Sequence, residues 1–275
     1  MEMFLYGFMQ RAFQASMIIA IIAPLLGVFL ILRRQSLLAD TLSHVSLAGV
    51  ALGLIINVNP TFTTLLVVVI AALGIEYLRM IYQSYSEISI AILMAGGLAV
   101  ALVLMSLNEG GITTSVQQYL FGSIVTITAQ QVKILAVLGI AIVILFLVFR
   151  RIMYVLTFNE DIAQADGLPV KLISLLFSVI TGISISVIMP IAGALLVSAL
   201  MVLPAAIGMR LSRSFIFCVI SAIIVGVIGM FTGLVSSYEL GTPPGASITL
   251  MFIVLFILIA IWKRVSLFIR KRKNN

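Results

Sequence analysis

The sequence predicts an all-α polytopic membrane protein of about nine transmembrane helices, with its N-terminus outside and its C-terminus inside. Three observations lead there. The 275 residues are 63% hydrophobic and only 9% charged, whereas a typical soluble domain is about 25% charged. Apolar runs of about 18–25 residues, each long enough to cross a bilayer as a helix, recur along the chain. Basic residues stand singly or in pairs at the ends of those runs, which is the pattern of membrane topology and not of a phosphate-binding face. The net charge of +7 therefore gives no reason to expect a nucleic-acid partner.

The spans are expected at about 12–32, 38–56, 61–80, 88–107, 130–149, 171–189, 191–209, 214–236 and 245–262 of a single transmembrane domain covering 1–275. With the N-terminus outside, all but Arg11 and Lys133 of the 16 basic residues fall at or beside inner segments, as the positive-inside rule requires. Arg11 precedes a long apolar run without a small-residue cleavage site, so the first segment is expected to stay as an anchor. Cys218 is the single cysteine, which excludes a disulfide framework or a cysteine metal cluster within one chain.

Taken in order, Pro24 is expected to kink the first span. Asn57-Val58-Asn59-Pro60 marks a turn before the third span. Glu76 and Arg79 near its end have the spacing of an ordinary helix-end ion pair, and Glu87 suits the positive end of the fourth. The outer stretch 106–128 contains Val116–Gly122, which reads as a short helix ending at a glycine cap and lying where a partner could dock. Glu109, Gln117 and Tyr119 there, with Glu239 in the outer loop 236–245, are the candidate contacts for it.

The inner segment 150–170 should carry a short helix over about 157–169. Thr157 would cap it, Glu160 and Asp161 would sit in its first turn, and Gly167 with Pro169 would end it. A docking element for a cytoplasmic partner is favoured there over a solvated connector. A break at Met189-Pro190 separates the sixth and seventh spans. Small residues in the seventh and eighth spans are packing surfaces, and the basic tail after Trp262 is an anchor to membrane lipid.

The chemistry concentrates at Asp40 and His44. His44 is the only histidine, and a pair four residues apart shares one helix face. A carboxylate and an imidazole inside a bilayer are costly without a role. From Arg34 they rise about 9 and 15 Å at 1.5 Å per residue, which places His44 near the middle of a core about 30 Å thick. Both are ligand types for zinc and other divalent metals, and Ser36, Thr41, Ser43 and Ser46 offer hydroxyls to orient them. One chain supplies too few ligands for a closed site, whereas a two-fold dimer would supply four. A buried structural hydrogen bond is the competing reading of such a pair. No His-Glu-x-x-His or phosphate-loop motif is present, so neither a zinc protease nor an ATPase is expected.

Leu32–Gly53, containing Asp40-Thr41-Leu42-Ser43-His44, resembles the signature of the permease subunits of bacterial zinc/manganese ABC importers. Tyr119–Ile124, Asn159 through Pro169, Gly193–Leu200 and Pro204-Ala205-Ala206 are similar to the same family, so the likeness covers nearly the whole chain. It implies a non-enzymatic, multi-pass subunit of the bacterial cell membrane. The subunit would be a homodimer that receives metal from an extracytoplasmic binding protein and is driven by separate cytoplasmic ATP-binding subunits. No cofactor would be bound permanently. The family's metal-contacting residues map to Asp40 and His44, and its ATPase-coupling segment to Asn159, Glu160, Asp161, Ala165 and Gly167. His44-Val45-Ser46-Leu47-Ala48-Gly49 lacks the proline expected of manganese-type members and is closer to the zinc type. The expected cargo is therefore Zn2+. Manganese or iron(II), or a secondary transporter with an Asp–His proton relay, are the alternatives.

Overall fold

The structure, a computed structural model, describes residues 6–81, 86–107, 119–123, 127–158, 160–212 and 214–273. Its helices are α1 (Gly7–Leu32), α2 (Ser36–Ile55), α3 (Pro60–Ile81), α4 (Ser86–Ser106), α5 (Ala129–Phe158), α6 (Glu160–Ala165), α7 (Val170–Ala192), α8 (Ala194–Leu211), α9 (Phe215–Leu240) and α10 (Pro244–Lys273). Eight are long and apolar enough to cross a membrane, and α4 adds the shorter apolar stretch Ile90–Ser106. No strand occurs among the described residues.

Several boundaries differ from expectation for identifiable reasons. α5 does not stop at the Arg150-Arg151 pair but continues to Phe158, because no glycine or proline falls between Arg151 and Phe158. Thr157 is therefore inside α5 rather than capping the next helix, and its hydroxyl donates to the Met153 carbonyl at 2.6 Å. The short helix shrinks to α6. The expected break at Met189-Pro190 moves to Gly193, whose φ of 88° and ψ of 149° define a conformation open essentially only to glycine.

α1 and α2 form the centre of the bundle. α2 packs on α3 and α4 along its length, with α7 and α8 behind it, and α1 packs on α8, α9 and α5. Backbones approach closely around α2: a Cβ on Gly49 would lie 2.6 Å from the Thr64 Cα of α3, and one on Gly97 of α4 would lie 2.6 Å from Val45 Cγ2. Such small-residue contacts substitute for the hydrophobic drive that lipid does not provide. α5 is held more loosely, with only Leu135, Gly139, Ile142, Met153 and Leu156 buried.

The basic helix ends gather at one end of the bundle. Arg33, after α1, donates to Ser174 of α7, and Arg79 of α3 reaches the same hydroxyl at 3.4 Å. Lys263 of α10 donates to the Arg210 carbonyl at the end of α8, and the Arg210 guanidinium lies 4.8 Å from the Phe256 ring centroid. We call this the basic end.

Candidate functional site

The α1–α2 turn sets the register of α2. Arg34 adopts φ 57°, and the Gln35 amide donates back to the Leu30 carbonyl at 2.7 Å, closing the helix end with a left-handed residue. α2 begins immediately, at Ser36. From there the helix is enclosed on nearly all sides. Over its first half one stripe remains open, with Leu37 48% exposed and the side chains of Asp40 and His44 40% and 24% exposed. These positions follow helical spacing along one face. The stripe closes above His44, where Leu47 and Ala48 are buried.

Within the stripe, His44 Nε2 lies 3.8 Å from Asp40 Oδ1. That is ion-pair range but too long for a hydrogen bond, so the structural hydrogen bond considered from sequence is not formed. His44 Nδ1 is buried and has no hydrogen-bond partner. The two side chains thus present an oxygen and a nitrogen side by side with lone-pair capacity unspent. Such a pair has the capacity to supply two ligands to a divalent cation. Among the described residues no group of three or more His, Cys, Asp or Glu converges.

Three of the four hydroxyls expected to orient this pair bond back to their own helix. Thr41 donates to the Leu37 carbonyl at 2.9 Å, Ser43 to Ala39 at 2.8 Å and Ser46 to Ser43 at 2.5 Å. In a low-dielectric surrounding, the nearest acceptor for a helical hydroxyl is its own preceding turn. Ser46 Oγ also meets the buried Met189 Sδ at 2.7 Å.

Sequence spacing found the Glu76–Arg79 pair but not its burial or its partners on α7. Glu76 is not a surface ion-pair partner: it is 2% exposed. Arg79 Nη1 donates to both its carboxylate oxygens at 3.3 Å, and Ser178 Oγ donates to Oε2 at 3.0 Å. Ser174, one turn before Ser178, takes Arg79 and Arg33, and the Arg33 guanidinium lies 5.6 Å from the Phe177 ring centroid. This clamp ties the α1–α2 turn, α3 and α7 together at the basic end. The i,i+4 serines of α7 were the available signal for it.

The other candidate residues fall at the two ends. Tyr119 and Leu120 are half-buried against the core, residues 119–121 are helical, and Gly122 at φ 75° ends them. This segment lies on the α7–α8 break, where a Cβ on Gly193 would come within 2.4 Å of the Gly122 nitrogen. Burial pushes the Tyr119 phenol above its usual pKa. Glu239 is exposed near the end of α9, while Glu109 and Gln117 lie outside the described residues.

At the opposite end α6 packs against its neighbours. Ala163 is fully buried against Leu156 and Val170 in a small separate core. Gly167 at φ 77° turns the chain so that the Leu168 amide donates to the Ala163 carbonyl at 3.1 Å. The outer face, with Asp161 and Ala165, is exposed, as is Gly167. Asn159 and the Glu160 side chain lie outside the described atoms.

Eight helices long and apolar enough to cross a membrane, packed around α1 and α2, define a multi-pass membrane protein. The family model described as the ABC 3 transport family matches residues 5–263, and the chain belongs to that family. It is 28% identical over 262 residues to the high-affinity zinc uptake system membrane protein ZnuB of Haemophilus influenzae, covering 95% of this chain and 97% of that one. It is 27% identical over 253 residues to the manganese transport system membrane protein MntC of Halalkalibacterium halodurans, covering 92% and 86%. Its fold matches PsaBC from Streptococcus pneumoniae, solved in complex with Fab, at a TM-score of 0.83 and 26% identity over 94% of this chain and 92% of that one. The chain is therefore the multi-pass, non-enzymatic membrane component of a metal ABC transporter, in which ATP hydrolysis belongs to a separate subunit.

Proposed function

We propose that this permease imports zinc by alternating access as a homodimer, with Asp40 and His44 of each protomer forming half of a transient four-ligand site. The observation that carries the reading is the open stripe of α2. Along it Asp40 and His44, two side chains of metal-ligating type, face out of a helix that is largely enclosed elsewhere. A partner related by two-fold symmetry would add a second carboxylate and imidazole, giving the four-coordinate oxygen and nitrogen set that zinc favours. A site assembled from two chains is also weak enough when they separate to release its ion.

In this reading the basic end faces the cytoplasm, in accord with the positive-inside rule, and the N-terminus lies outside. The segment around α6, with Asn159, Glu160, Asp161, Ala165 and Gly167 as its contact residues, docks the ATP-binding subunit. Tyr119, Glu239, Glu109 and Gln117 are the contacts assigned to the extracytoplasmic metal-binding protein. The zinc preference rests on His44-Val45-Ser46-Leu47-Ala48-Gly49, and manganese or iron(II) is the rival cargo. Uptake of radiolabelled zinc under competing manganese separates them: zinc uptake should persist under a large manganese excess, and equal competition would overturn the preference. Leu37→Cys should crosslink two protomers across the stripe. A tag at Asn275 read from outside the cell would overturn the orientation.

A further inference from the structure

A groove of about 940 Å³ opens on the side of the bundle between α1, α5 and α9. Its walls are apolar over their depth, with Leu25 of α1, Val143 of α5, and Val219 and Ile223 of α9. At its basic end the lining changes character: Arg150, Arg151 and Tyr154 of α5 stand beside Ser214 at the start of α9. Both arginines are exposed, and neither forms an ion pair or hydrogen bond among the described residues. Ser214 Oγ accepts from the Phe217 amide at 3.4 Å, which leaves its hydroxyl proton free to donate into the groove.

The lengths match one lipid leaflet. From Arg150 the α5 wall rises to Val143 by about 10 Å at 1.5 Å per residue, within the ~15 Å half-thickness of a hydrocarbon core. Two guanidiniums at headgroup depth above an apolar trough are complementary to a single amphiphile with an anionic head and an acyl tail. Arginine at such a depth favours phosphate through its planar donors.

We propose that this groove is a binding site for an anionic phospholipid, with the phosphate held by Arg150, Arg151 and the Ser214 hydroxyl and an acyl chain lying between α1, α5 and α9. The lipid thereby completes the packing of α5, which the protein alone holds loosely. The site is independent of the ion that the permease carries, so its test does not depend on the zinc reading.

The test uses the full chain reconstituted in phosphatidylcholine bilayers. Trp262 is the single tryptophan, so in a Trp262→Phe background Ile220→Trp reports from the groove. Ile220 lines it and is 47% exposed. Val137→Trp, 69% exposed on α5 and outside the groove, reports from ordinary lipid contact. Each is quenched by the same fraction of brominated phosphatidylglycerol or brominated phosphatidylcholine. Near a membrane surface each arginine enriches anionic lipid roughly fivefold. Ile220→Trp should therefore be quenched severalfold more effectively by phosphatidylglycerol, and Val137→Trp equally by both. Arg150→Gln with Arg151→Gln should abolish the preference at Ile220→Trp. In native mass spectra the wild type should retain phosphatidylglycerol and the double variant should lose it. Equal quenching at Ile220→Trp, no quenching there by either lipid, an equal preference at Val137→Trp, or a preference that survives loss of both arginines would overturn the proposal.

Discussion

Glu76 offers the sharpest energetic prediction. Its carboxylate is 2% exposed and accepts three hydrogen bonds, two from Arg79 and one from Ser178. Removing one partner of a buried ion pair costs about 3–5 kcal/mol, because the other charge is left uncompensated. The Arg79 side chain keeps 23% exposure and can recover water, so Glu76→Ala belongs at the low end, about 3 kcal/mol. Ser178→Ala removes one hydrogen bond to a charged group, worth about 1.5–3 kcal/mol. Both substitutions act on the same carboxylate, so their effects should not add: with Glu76 already gone, Ser178→Ala should cost less than about 1 kcal/mol. Reversible unfolding of the four variants of this cycle in detergent–SDS mixed micelles measures these terms. A Glu76→Ala protein within about 1 kcal/mol of wild type, or a fully additive double variant, would refute the clamp.

Other outcomes follow from the same contacts. Gly193→Ala places a Cβ on the Gly122 nitrogen and Phe121 carbonyl carbon at a φ of 88°, so it should lower stability by about 1–3 kcal/mol and speed proteolysis near residue 122. Ala163→Glu forces a charge between Leu156 and Val170; it should abolish co-purification with the ATP-binding subunit while leaving membrane insertion unchanged. Tyr119 has its phenol pKa raised above 10.0 by burial. Its stabilising contribution is complete below the unfolded value and is lost as pH rises through the folded one. Above about pH 10, therefore, wild type should lose stability more steeply than Tyr119→Phe, measured as melting temperature against pH.

The helical bundle was legible because bilayer thickness fixes segment length, and residues of one type had to fill it. The Asp40–His44 face was legible from a four-residue spacing alone. Burial was harder to read. A Glu76–Arg79 pair looks the same in sequence whether water or α7 covers it, and only the tertiary contact of α3 with Ser174 and Ser178 makes it a clamp. The Arg150-Arg151 pair looked like a membrane edge and a helix end together. Charge marks the first, whereas only a breaker marks the second, and none falls between Arg151 and Phe158. Pro190 drew the predicted break away from Gly193 because proline is the stronger sequence signal, yet only glycine meets the backbone angles of the turn. Thr41, Ser43 and Ser46 looked like ligand supports because their back-bonding to the preceding turn leaves no mark in the residue pattern.

In the proposed transport cycle Asp40 and His44 handle the transported ion. The most direct test is metal-resolved uptake by membrane vesicles carrying this chain together with its binding protein and ATP-binding subunit, at limiting zinc. Asp40→Ala and His44→Ala should each lower zinc uptake roughly tenfold or more, the scale on which altered metal sites lose affinity, with insertion and subunit association unchanged. Wild-type uptake in both variants would contradict the account.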